Sequence, residues 1–126
     1  NLPLDSMHRI AMYVFTMITK ELIAASTEPI LLTILGQGES YGYEIIKKVR
    51  TCSDEALNWS DGMLYPVLHR LEQKGAIASR WQKAGGRRRK YYRLTPAGRE
   101  RLQQRKEEWN SVQSTLNRLW GEGSHV

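Results

Sequence analysis

Arg87, Arg88, Arg89 and Lys90 are four consecutive cations, preceded by Gly85-Gly86. Adjacent like charges repel and gain little as structure, but they suit a polyanion, where arginines reach phosphates or a narrow minor groove. A second group lies upstream. Leu64, Val67, Leu68 and Leu71 form an apolar stripe at helical spacing. At about 100° per residue, Gly62, Tyr65, Pro66, His69 and Gln73 fall on the opposite side, with Arg70 on the flank. Arg and Gln make bidentate contacts to guanine and adenine edges. Tyr65 and Ser60 can donate to phosphates, the helix start is itself an anion site, and Gly62 lets backbone approach a duplex closely. Tyr41, Lys47 and Met63 complete the DNA-binding set. Either group alone also reads as a solvated face; the cationic run directly after a helix of this kind favours a duplex-binding surface.

Other chemistry finds no residues to carry it. Ser60, Asp61 and His69 invite comparison with a catalytic triad, yet Ser60 and His69 are nine apart on one helix, about 180° around it, and cannot meet. There is no carboxylate pair or phosphate loop, so no enzyme is expected. His8, His69 and His125 are scattered and Cys52 is the lone cysteine, which leaves no metal set, no cofactor site and no disulfide. A single cysteine fits a reducing cytoplasm. The 126 residues carry 19 Lys and Arg against 13 acidic residues, a net charge of +6 that points to nucleic acid first and an anionic membrane surface second. Ile10–Ile18 is mostly apolar but far short of the roughly 20 residues that span a bilayer. It is expected to pack as an extra helix or strand, and no membrane partner is expected.

The elements that must position these residues are helical, with one hairpin inserted. Residues 19–35 repeat apolar positions at helical spacing, and Ser26-Thr27-Glu28-Pro29 predicts either two helices meeting or one kinked helix. Tyr41–Arg50 forms a second helix with Tyr41, Ile45, Ile46 and Val49 buried. The third runs from an N-cap at Ser60 to about Lys74, and Pro66 should kink it or delay its regular part. Residues 76–83 and 87–94 flank a Gly-Gly turn as a hairpin. Thr95 caps a last helix that runs to about Trp120, with Pro96 at its first position. Leu102, Trp109 and Leu116 recur every seven residues, with Val112 and Leu119 interleaved and Trp120 on nearly the same face. So long a helix with one narrow apolar stripe needs a second surface, most economically a second copy of the chain.

These pieces make a mainly α fold with a small β-hairpin: a winged helix-turn-helix on a long C-terminal dimerisation helix. Residues 1–18 are expected to be an N-terminal extension, in part vector-derived, 19–95 the DNA-binding domain and 96–126 the dimerisation helix and tail. Gly42-Tyr43-Glu44-Ile45, then Leu64 to Glu72 (LYPVLHRLE), then Gly86 to Gly98 (GRRRKYYRLTPAG) resemble the PadR family of bacterial transcriptional regulators. The resemblance covers about residues 19–120 and rests on three motifs in order. It implies a homodimer held by the last helix, with Leu102, Trp109, Val112, Leu116, Leu119 and Trp120 at its interface, bound to a palindromic operator. The single C-terminal helix is similar to that of the compact, multidrug-responsive repressors. In those, flat aromatic or hydrophobic ligands sit at the dimer interface, a place matched here by Trp109 and Val112; plain dimer-core packing is the alternative for Trp109. A winged-helix module that binds protein rather than DNA is the rival reading of the whole chain, and salt-sensitive duplex binding would separate the two.

Overall fold

A computed structural model describes residues 18–121. The expectation of a packed segment at Ile10–Ile18 falls, but for Ile18, outside the described residues. The order is α1 (Lys20–Gln37), β1 (Ser40–Tyr41), α2 (Gly42–Cys52), α3 (Asp61–Gln73), β2 (Ile77–Ala84), β3 (Arg87–Leu94) and α4 (Pro96–Leu119). Among the described residues, no helix is long and apolar enough to cross a membrane.

One core joins α1, α2, α3 and the base of the hairpin. Leu31, Leu32, Ile45, Leu64, Leu68 and Leu71 are fully buried, with Ile77, Tyr92 and Leu94 reaching in from the strands. The helix edges follow local chemistry. The Thr19 hydroxyl accepts from Leu22 N, that of Ser60 from Met63 N, and that of Thr95 from Gly98 N. Trp59, 4% exposed, anchors the chain just before Ser60 and so fixes where α3 begins.

At each proline one of the two expected alternatives falls: α1 is not split into two helices, and the start of α3 is not delayed. α1 is one helix through Pro29, and α3 is regular from Asp61 with Pro66 inside it. Each proline deprives only the carbonyl four residues back, that of Ala25 and of Gly62, and both those residues are exposed, where water can serve them. Burial of the flanking apolar residues holds the helices together against that loss.

A correction concerns Tyr41. It lies not on the buried face of α2 but in β1, a two-residue strand that pairs Ser40 with Tyr92 and Tyr41 with Tyr91. No sequence period marks so short a strand. The sheet order is β1-β3-β2, all antiparallel. Ala84 faces Arg87 across the two-residue turn Gly85-Gly86, whose φ values of 59° and 79° match a tight hairpin turn that needs glycine.

α4 leaves the wing through a tight junction. Thr95 N donates to Ala76 O at 3.1 Å, and the Thr95 hydroxyl donates to Gly75 O at 2.6 Å. Gly98 lies against that same Ala76 carbonyl, so closely that a Cβ would overlap its oxygen. Its missing side chain is what lets α4 start there. Leu102, expected at a dimer interface, packs partly on the chain's own core, its Cδ2 only 2.9 Å from where a Cβ on Gly36 would stand.

Candidate nucleic-acid interface

α3 buries Leu64, Val67, Leu68 and Leu71 and exposes Gly62, Tyr65, Pro66, His69, Arg70 and Gln73. The face read from the helical period is therefore the free one. Met63 differs from its companions: it is half-buried and packs against the core, so little of it can meet a ligand. Ser60 is exposed, but its hydroxyl already accepts from Met63 N at 3.2 Å and leaves its own proton to donate. Lys47 is exposed on α2.

The wing stands beside this face. Tyr41, Gly42, Tyr43, Tyr65, Trp81 and the run Arg87–Lys90 line one groove of roughly 520 Å³ between α2, α3 and the hairpin. Gly42 lets the Tyr65 side chain lie close against the start of α2; a Cβ there would push the Tyr65 hydroxyl aside. Tyr43 and Trp81, 68% and 56% exposed, join the groove although the helical period and the charge pattern do not select them. A signal exists all the same: each is an aromatic residue next to a motif that reads as DNA-facing.

The cations are positioned rather than loose. The Arg89 guanidinium lies 4.5 Å from the Tyr41 ring centroid, and Arg88 lies 4.8 Å from that of Trp81. Lys90 approaches both Trp81 and Tyr92, at 5.9 and 5.7 Å. Tyr41 in turn meets Tyr91 edge to face at 5.4 Å. Contacts of this kind are worth about 0.5–1 kcal/mol at exposed sites, enough to bias rotamers and too little to neutralise the charge. Lys83 stands directly opposite Arg88 on the hairpin, a like-charge pair that destabilises a sheet. The wing tip thus holds charge at the expense of its own stability. At its base Glu39 accepts from Arg80 Nε at 2.8 Å, and that guanidinium holds the Glu39 carboxyl below the usual carboxylate range.

α4 divides in two. Its first turns dock on α1, where the Glu28 carboxylate accepts from Arg101 Nε at 2.7 Å, Arg101 Nη2 at 3.1 Å and Arg105 Nε at 3.0 Å. Past Arg105 its apolar stripe is bare: Trp109 is 36% exposed, Val112 54%, Leu116 37%, Leu119 77% and Trp120 67%. Among the described residues no group of three or more His, Cys, Asp or Glu could hold a metal.

Comparison with known proteins agrees with this architecture. Residues 31–104 match the model of the transcriptional regulator PadR-like family. The chain is similar to the transcriptional regulator Rv3488 of Mycobacterium tuberculosis, with 41% identity over 67 residues, 53% of this chain and 60% of that protein. Its fold is similar to that of a transcriptional regulator from Clostridium thermocellum, with a TM-score of 0.72 and 36% identity over 79% of this chain and 97% of that one. It is also similar to a PadR family regulator from Clostridium difficile, with a TM-score of 0.67 and 34% identity over 76% of this chain and 99% of that one. The matched residues span α3, the wing and the start of α4, so the chain belongs to the PadR-like family of transcriptional regulators, proteins that act on DNA rather than as enzymes.

Proposed function

We propose that the chain is a homodimeric repressor that reads a palindromic operator. In this reading α3 enters the major groove through Arg70, Gln73 and His69, while Arg87–Lys90 lie on the flanking backbone or in the minor groove. Tyr41, Lys47, Ser60, Gly62, Tyr65 and Pro66 line the approach. The observation that carries it is the groove in which Tyr65, from the exposed face of α3, stands beside the cationic wing; Arg70, Gln73 and His69 lie on that same exposed face but do not line the groove. The bare stripe of α4 supports a dimer, because five large apolar side chains in a row are not left in water without a partner. Two heads would then meet half-sites about one helical turn apart, roughly 34–36 Å.

Selection from random duplexes, followed by anisotropy titration of the enriched sequence at two salt concentrations, tests this reading. A palindrome bound with steep salt dependence supports it. No enriched sequence and no salt-dependent binding would refute it and favour a protein-binding winged helix. Release from DNA by a planar aromatic or hydrophobic effector at Trp109 and Val112 is the regulatory half of the proposal, since an exposed indole offers a π-face to a flat cation. Trp109→Ala should remove most of the fluorescence quenching by such a cation; undiminished quenching would take Trp109 out of the effector site.

A further inference from the structure

Among the described residues, three contacts in the first ten residues of α4 seat it on the rest of the chain: Gly98 on the Ala76 carbonyl, Leu102 on Gly36, and Arg101 with Arg105 on Glu28. From Lys106 to Leu119, among the described residues, the hydrogen bonds of α4 stay within the helix. α4 is therefore a lever, docked at one end and free at the other. Two of the docking contacts are apolar or steric and set distance, not direction. Glu28 differs. Its side chain is 14% exposed, and it takes a two-pronged hydrogen bond from Arg101 and a third from Arg105, one helical turn further on. A single carboxylate held by two guanidinium groups a turn apart on the same helix restricts that helix's rotation and tilt against α1.

We propose that Glu28, acting through Arg101 and Arg105, sets the angle of α4 on the DNA-binding head and thereby the spacing of the half-sites that the dimer accepts. This rests on the dimeric, two-headed reading above. From Arg105 to Leu119 the free arm is about 21 Å long, so a tilt of about 10° moves its far end by about 4 Å. That is close to the rise of one base pair, about 3.4 Å. With two heads the error doubles. Glu28 does not line the duplex-facing groove and is a positioning residue: its loss changes where the heads stand, not what each head reads.

The test uses full-length protein and duplexes carrying two copies of the selected half-site, with the spacing varied in single base-pair steps. Wild type should show one optimum. Glu28→Gln keeps the size and removes the charge; Arg105→Gln leaves the Arg101–Glu28 pair in place and so guards against a variant that fails to fold. Both should flatten the optimum or shift it by about one or two base pairs, lowering the preference for the original spacing roughly tenfold. Binding to a lone half-site and the dimer mass should not change. Glu100→Gln, which removes the same charge from an exposed position of α4, should keep the wild-type profile. Folded, dimeric Glu28→Gln and Arg105→Gln with an unmoved optimum would overturn the role of Glu28 while leaving the dimeric reading intact. A wild-type protein with no spacing optimum would instead overturn the two-headed reading, and this inference with it.

Discussion

The same substitution should have opposite effects at two glycines. Both Gly62 and Gly98 lie in the first turn of a helix, where alanine is ordinarily better than glycine by about 0.5–1 kcal/mol. At Gly62 a new Cβ meets only the Ser60 hydroxyl, at 3.9 Å. Gly62→Ala should therefore stabilise by about that amount and raise Tm by roughly 2–8 °C. At Gly98 the Cβ would overlap the Ala76 oxygen, stand 2.9 Å from the Ala76 carbonyl carbon and 3.1 Å from Leu94 Cδ2. Ala76 and Leu94 are buried, and the Ala76 carbonyl already accepts from Thr95 N at 3.1 Å. The Ala76 backbone cannot swing away as a side chain would, and the buried Leu94 side chain closes the other side. Overpacking costs about 1–3 kcal/mol, and a strained or broken hydrogen bond adds about 1. After the helix-propensity gain, the net loss is about 1–3 kcal/mol, or a fall in Tm of roughly 5–20 °C. Thermal unfolding at equal protein concentration reads both, since Tm depends on concentration if the chain dimerises. A Gly98→Ala protein as stable as wild type would refute the close seating of α4 on the wing. Gly62→Ala carries a second reading. It should bind a duplex more weakly despite its added stability, and unaltered affinity would mean that the start of α3 does not approach DNA.

Replacing Arg87, Arg88 and Arg89 with alanine should flatten the dependence of log K on log salt by about 0.9 for each phosphate that is no longer neutralised, or about 2.7 if all three arginines reach the backbone. Between 50 and 200 mM salt that amounts to roughly 40-fold less salt sensitivity, and an unchanged slope would place the wing off the phosphates. Glu28 links the α1–α4 contact to acid stability. Burial raises its pKa, but hydrogen bonds from Arg101 and Arg105 outweigh that and hold it below the ordinary 4.5. Its contribution is thus full above pH 4.5 and disappears as pH falls through the lowered value. The Tm difference between wild type and Glu28→Gln should shrink as pH drops below 4.5; a difference that persists into strong acid would refute the ion-paired state. At the alkaline end, burial pushes Tyr92 up to about 12, with Tyr65 and Glu72 adding to it. An ultraviolet titration should show a tyrosine step near pH 12 that Tyr92→Phe removes, and the absence of that step would refute its burial.

Most of the head is legible in the sequence because its signals are local and periodic. The stripe Leu64, Val67, Leu68 and Leu71 is buried as its spacing predicts, and the opposite face is exposed as a consequence. Ser60 and Thr95 cap the helices they precede, and Gly85-Gly86 turns the hairpin where a left-handed pair is needed. The features that are not legible are tertiary. β1 exists because β3 offers an edge to Ser40 and Tyr41, and two residues carry no alternation to detect. Met63 sits on the boundary between the two faces of α3, where a period of 3.6 cannot decide, and the core claims it. Pro29 leaves a break or a kink open because a missing donor is a local cost, whereas Leu31, Leu32 and Leu35 bind the following turn to the core and keep the helix continuous.

Leu102 shows the same limit in a more consequential place. A heptad reports that a stripe exists but not what covers it. Leu102, Trp109 and Leu116 are equivalent to the period, yet Leu102 meets Gly36 of its own chain while Trp109 and Leu116 face solvent. The difference comes from Gly36 and Gly98, which let α4 lie close against the head at its start, and from Arg105, which makes the last side-chain hydrogen bond from α4 to α1 among the described residues. The division has a functional consequence for a two-headed regulator. Under the dimeric reading, a stem whose first turns are hydrogen-bonded to the head couples a change in its far half to the head through that contact. Under the dimeric reading, an effector at Trp109 would not need to touch the head at all: a few degrees of tilt, resisted by Glu28, would be enough to move the two copies of α3 off their half-sites.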